Sequence, residues 1–199
     1  MARMTVTPEL KKAVLALSSS EKDKLLLRLL PSKPDLVKQL EFKLLEKGET
    51  TEARREELRA EIEESIASNS YYSPGYLLLD LRSYSGSITQ HVKITKDRLG
   101  EIELNFVMLN ETFERFGGKL SKLKLEKVDK LFVYVIQRTL KLLKLLSKLH
   151  EDYHLEFRDS MRALGQHFAN LELLMMRAKT YGLNVKWLLE GQVPEEWEL

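Results

Sequence analysis

The stretch that decides the fold is residues 125–146, LEKVDKLFVYVIQRTLKLLKLL. Its apolar side chains recur every three or four residues, so that they line one face of an α-helix. One such row runs through Val128, Phe132 and Val135 to Tyr153, and a second row beside it runs from Ile136 to Ala178. Two adjacent rows predict a helical segment with a broad apolar face.

A matching periodic stretch precedes this one. From Leu77 to Phe116 the apolar and aromatic positions are spaced by steps of three and four, with a stutter near His91 and Thr95. Gly117 and Gly118 follow directly. We therefore predict an all-α fold whose centre, residues 71–181, is a long antiparallel, coiled-coil-like helical hairpin that turns at 117–118.

Local signals predict shorter helices on either side of the hairpin. Thr7 before Pro8, and Ser18 three residues before Glu21, are typical helix starts. We expect residues 1–70 to form a subdomain of short helices packed on the open end of the hairpin. Residues 182–199 predict a short helix carrying Trp187 and an acidic tail carrying Trp197.

Composition narrows the classes of function. The 199 residues include no cysteine, which excludes disulfides and sulfur-ligated zinc sites, and the net charge is only +2. No apolar segment approaches the ~20 residues of a membrane span. Phosphate-binding loops, dinucleotide-binding glycine motifs and the serine hydrolase elbow are absent from the sequence. We expect a cytoplasmic protein without a membrane partner or cofactor.

The pentapeptide HEDYH, from His150 to His154, matches the H-E-x-x-H zinc signature. Catalytic zinc needs a third protein ligand, and His167 and Glu172 lie 13 and 18 residues beyond His154. We interpret His150 and His154 as polar members of the hairpin seam, bonded to Asp80 or Tyr84. A non-catalytic metal site and a metal-dependent hydrolase stay open as alternatives, as does half of a di-iron motif. The helix either continues through HEDYH or breaks there.

Residues 119–148 are rich in lysine, with nine basic residues against two acidic ones. A helical projection places five of the lysines on one face, which defines the lysine face: Lys127, Lys130, Lys141, Lys144 and Lys148. Such a face could bind a phosphate backbone or an acidic partner. The alternative is an ordinary solvated face opposite the core.

Two segments resemble known families. ELKKAVLALSSSEKDKLLLRLL, at residues 9–30, resembles the opening of small, uncharacterised all-helical bacterial proteins, some with HEAT-like paired helices, which implies short helices and no activity. RAKTYGLNVKWLLEG is similar to the last helix of phage-repressor-type helix-turn-helix domains. The turn and recognition helix of that family do not precede it, so the resemblance implies no DNA binding.

Taken together, these features favour a non-enzymatic helical interaction or scaffold protein. We expect it to bind itself or another protein through the part of the 128–178 apolar face that the hairpin leaves uncovered. Nucleic-acid binding through residues 119–148 is the second hypothesis. A metal-dependent hydrolase using HEDYH is the third.

Overall fold

A computed structural model describes residues 5–70 and 73–194. All regular secondary structure in these residues is helical, which confirms the all-α prediction. None of the described helices has both the length and the apolar composition needed to cross a membrane. The chain divides into two compact units, Met1–Glu49 and Thr50–Leu199. The tail with Trp197 lies outside the described residues.

The first unit, here the amino-terminal unit, consists of short helices. They are α1 (Pro8–Ala16), α2 (Ser19–Leu29) and α3 (Pro34–Leu40), with a 3-10 turn at Leu30–Ser32 and a π-helical turn at Glu41–Leu45. Both predicted helix starts are confirmed. Thr7 Oγ1 accepts from the backbone N–H of Leu10, and Ser18 and Glu21 cap each other reciprocally.

The second unit, here the bundle unit, contains eight helices among its described residues. They are α4 (Thr51–Ser68), α5 (Pro74–Thr95), α6 (Arg98–Leu120), α7 (Leu125–Leu146), α8 (Glu151–Glu156), α9 (Arg158–Ala169), α10 (Glu172–Thr180) and α11 (Val185–Glu190). Helix α6 packs against α4, α5, α7 and α9, and Phe106, Phe113 and Phe116 on it are almost fully buried. It is therefore the central helix of the unit. Helix α4, predicted among the amino-terminal helices, belongs to this unit.

The predicted single hairpin is wrong, because the chain reverses direction between α5 and α6, again between α6 and α7, and once more between α7 and α9. Lys96 adopts a left-handed conformation (φ 64°) between α5 and α6, and Ser85 Oγ then lies 3.7 Å from Met108 Sδ. The second reversal follows α6, which runs through Gly117 and Gly118 and ends at Leu120. Lys141 on α7 consequently reaches Glu101 near the start of α6.

As a result α5, α6 and α7 run up, down and up, and α5 lies parallel to α7. The hydroxyls of Ser85 on α5 and Tyr134 on α7 are 2.6 Å apart. The predicted hairpin placed Asp80 and Tyr84 beside HEDYH. Because α5 runs parallel to α7 with Ser85 beside Tyr134, that placement is excluded.

The broad apolar face of residues 128–178 is buried within the bundle unit. The rings of Phe106 and Phe157 stack at 6.1 Å, which places the start of α9 against α6. Helix α11 covers α9 so closely that a Cβ on Gly165 would lie 2.8 Å from the backbone nitrogen of Leu189. The chain itself therefore covers the surface from which self-association was predicted.

Candidate interaction surfaces

HEDYH lies at a junction between two helices. His150 is the residue before α8, with extended backbone angles (φ −63°, ψ 147°), and its Nδ1 accepts from the N–H of Asp152 at 3.4 Å. His154 Nε2 lies 2.9 Å from the Leu146 carbonyl, to which it donates. The predicted partners of these histidines are wrong: Asp80 accepts from Asn69, and Tyr84 bonds Ser65.

His167 and Glu172, suggested as a third metal ligand, lie on α9 and at the start of α10. The ring of His167 stacks on Phe113 of α6 at 6.0 Å, and its Nε2 lies 3.9 Å from Glu114. Burial lowers the pKa of His167, and the nearby Glu114 carboxylate opposes that shift only in part. Among the described residues no group of three or more histidines and carboxylates is arranged to hold a metal ion.

A cavity of about 1050 Å³ borders the same junction, lined by Glu151, His154 and Trp187 among others. Ser147 also lines it, and a serine beside a histidine is a possible nucleophile. Its hydroxyl, however, donates to the Lys144 carbonyl, and the Nε2 of His154 is bonded to Leu146. The His154 bond ties α8 to the end of α7, and neither of these bonds pairs Ser147 with His154.

Four of the five residues of the lysine face lie on α7, and Lys148 follows the end of that helix at Leu146. Lys127, Lys130, Lys141 and Lys148 are exposed, and Lys144 is half-buried. Lys141 forms an ion pair with Glu101, with 2.7 Å between Nζ and Oε1. The face is thus partly neutralised, and its role in binding nucleic acid stays a prediction.

A basic groove lies beside this face, between the parallel helices α5 and α7. A cavity of about 400 Å³ is lined by Arg82, Gly86 and Lys93 from α5, and by Tyr134 and Arg138 from α7. None of the residues lining it is acidic. The groove could not be predicted from the sequence, because the predicted hairpin did not place the faces of α5 and α7 that line it side by side.

Tyr134 organises the groove. Its hydroxyl donates to the Leu81 carbonyl at 3.2 Å, and accepts from Ser85 at 2.6 Å and from Arg138 at 3.2 Å. The guanidinium carbons of Arg82 and Arg138 lie 5.9 and 5.7 Å from the centre of its ring, which is within cation–π range. One aromatic ring therefore holds two positive charges at the surface.

A charged cluster lies at the α5–α6 turn. Asp97 accepts from Arg55 at 2.8 Å and from the N–H of Gly100 at 2.9 Å, and its carboxylate lies 3.2 Å from His91. Burial alone would raise the pKa of Asp97, but the hydrogen bonds from His91 and Gly100 and the positive charge of Arg55 lower it. The ionised carboxylate thus ties α4, α5 and α6 together.

The amino-terminal unit exposes an apolar surface of a different kind. Phe42 is the one described residue of this unit that counts as buried. Ten large apolar side chains between residues 6 and 45 are 38–77% exposed. We call these the leucine surface: Val6, Leu10, Val14, Leu15, Leu26, Leu27, Leu29, Leu36, Leu44 and Leu45.

Comparison with known proteins gives no relative. No family model, curated protein or solved structure matches the chain.

Proposed function

We propose that the protein is a non-enzymatic helical interaction protein of the cytoplasm that self-associates through its leucine surface. The observation that carries the proposal is the contrast between ten exposed apolar side chains and one buried residue in the amino-terminal unit. A segment of about 50 residues buries a small share of its surface, and its core alone rarely supplies more than a few kcal/mol of stability. Exposed apolar patches of this kind mark contact surfaces.

The charges favour a second copy of the chain as the partner that binds the leucine surface. Residues 5–49 carry nine basic and seven acidic side chains, so two copies of this unit would repel each other little. Closed homodimers are also the commonest oligomers of soluble proteins. Apolar rows on short helices from two chains can combine into one helical bundle.

The test compares leucines of similar exposure in the two units. Leu26 and Leu27 on α2 are 50% and 68% exposed, and Leu79 and Leu155 in the bundle unit are 57% and 65% exposed. We expect sedimentation to show a dimer at tens of micromolar chain. The double substitution Leu26→Gln and Leu27→Gln should raise the dissociation constant of this dimer about tenfold or more. Glutamine keeps the helix propensity of leucine.

The matched control is Leu79→Gln with Leu155→Gln, which we expect to leave the dimer unchanged. Circular dichroism of both variants checks that their helices form. A wild-type chain that stays monomeric at these concentrations would contradict self-association. A control pair that disrupts the dimer as strongly as the α2 pair would place the contact in the bundle unit.

A further inference from the structure

We propose that the groove between α5 and α7 binds a short segment of single-stranded nucleic acid through its phosphates. This inference is independent of self-association, because it rests on other residues in the bundle unit. Arg82 from α5 and Arg138 from α7 supply positive charge to one cavity whose lining includes no acidic residue. Phosphodiester oxygens are the strong acceptors that such a set of donors fits.

The two arginines have donors available for a ligand. Among the described residues neither Arg82 nor Arg138 forms an ion pair with a carboxylate, and the bond from Arg138 to Tyr134 uses one of its five N–H donors. The acids on neighbouring turns already have partners: Asp80 bonds Asn69, and Asp129 bonds Arg177 Nε at 2.6 Å. The positive charges of Arg82 and Arg138 are therefore not neutralised locally.

The groove extends along α7, as a strand of nucleic acid requires. A second cavity of about 330 Å³ shares Arg82 and Tyr134 with the first, and is also lined by Lys130 and Tyr181. Its one acidic residue, Asp129, is paired with Arg177. From Lys130 to Arg138 the groove follows α7 for about 12 Å. Tyr181, which is 41% exposed, provides an aromatic ring at the second cavity on which a base can stack.

The shape favours a single strand over a duplex. A protein reads a duplex by inserting a helix or ribbon into its major groove, whereas single strands lie in concave basic channels with aromatic side chains. Here the cations lie in a concavity between two helices. Gly86 leaves this concavity open, since a Cβ there would meet nothing within 4 Å.

The test uses the 199-residue chain and two fluorescently labelled oligonucleotides of about 15 nucleotides, one of oligo-dT and one of oligo-U. Fluorescence anisotropy measures their binding. We expect binding to weaken with salt, with a slope of log K against log salt of about −2, as three phosphate contacts predict for a single strand. Gly86→Glu should weaken binding at least about tenfold, because it places a carboxylate in the groove. Tyr181→Ala should weaken it about tenfold by removing a stacked base.

Two matched variants control for folding and for net charge. Gly86→Ala fits the open space and should bind as the wild type does. Gly118→Glu adds the same charge at another helical position where a Cβ meets nothing within 4 Å, and should also bind normally. Equal binding by Gly86→Glu and Gly118→Glu would overturn the proposal, as would a wild-type protein that does not bind at about 50 mM salt.

Competition identifies the ligand class. Unlabelled oligonucleotide should displace the probe, whereas a duplex of the same length, polyglutamate, inorganic polyphosphate and vesicles with anionic lipid should compete at least about tenfold more weakly. Equal competition by any of these four would overturn the assignment to single-stranded nucleic acid.

Discussion

At the scale of single residues, the junction of α4, α5 and α6 depends on a glycine. A Cβ on Gly100 would overlap the Asp97 carboxylate and come within 2.8 Å of Arg55 Nε. The carboxylate is held there by Arg55, His91 and the N–H of Gly100 itself. Any side chain at this position must displace an ion pair that is largely buried.

We therefore expect Gly100→Ala to lower the free energy of unfolding by about 3 kcal/mol, the usual cost of breaking a buried ion pair. Alanine would otherwise stabilise a helix by about 1 kcal/mol relative to glycine. Urea unfolding followed by circular dichroism measures the change. Gly117→Ala is the control and should be neutral or stabilising, since a Cβ there meets nothing within 4 Å. Equal stability of the two variants would mean that the Asp97 contacts contribute little.

The residues of the candidate sites were predictable only in part. The lysine face follows from spacing on one helix, which a single sequence reveals. The groove depends on Tyr134 meeting Ser85 and Arg82 from another helix. No local pattern specifies that contact, because it depends on the direction in which α5 and α7 run.

At the scale of helices, several starts were predictable, but the break between α5 and α6 and the division of the second arm into α7, α8, α9 and α10 were not. Thr7, Ser18 and Ser73 cap helices through bonds to N–H groups three residues ahead, so the signal is local. Asp97 caps α6 in the same way, through Gly100. The apolar seam hid this start, because α5 and α6 both turn their apolar residues toward one core and the spacing continues across the break.

The break itself predicts an unusual response to glycine. Lys96 has φ 64°, a conformation that costs a residue with a Cβ about 1 kcal/mol and costs glycine nothing. Lys96→Gly should therefore raise the free energy of unfolding by about 1 kcal/mol. Ser83→Gly, in the interior of α5, is the comparison and should lower it by roughly 0.5 kcal/mol.

Chemical denaturation of the two variants tests this. If α5 and α6 formed one continuous helix, both substitutions would destabilise the protein to a similar degree. An increase in stability for Lys96→Gly alone is the outcome that a left-handed residue between two helices predicts.

At the scale of the whole molecule, the two units differ in how much they bury. The bundle unit has a continuous core in which Leu81, Leu109 and Phe168 are fully buried. The amino-terminal unit has Phe42 as its one described buried residue. Apolar burial supplies most of the free energy that protects backbone amides from opening.

Hydrogen exchange should therefore distinguish the units. We expect the amides of α1 and α2 to exchange far faster than those of α6 in dilute protein. If the leucine surface joins two copies, protection of α1 and α2 should rise with chain concentration, whereas α6 should not change. Mass spectrometry of peptic fragments measures both effects. Protection of α1 and α2 equal to that of α6 in a dilute monomer would contradict the difference in burial.

The position of His150 also bears on how short metal signatures are used to sort proteins. A search for peptidases by the letters H-E-x-x-H alone would select this chain. The signature works only when both histidines project from one helix, one turn apart. His150 precedes α8 and has ψ 147°, so a filter that demands helical backbone angles at the first histidine would reject the match.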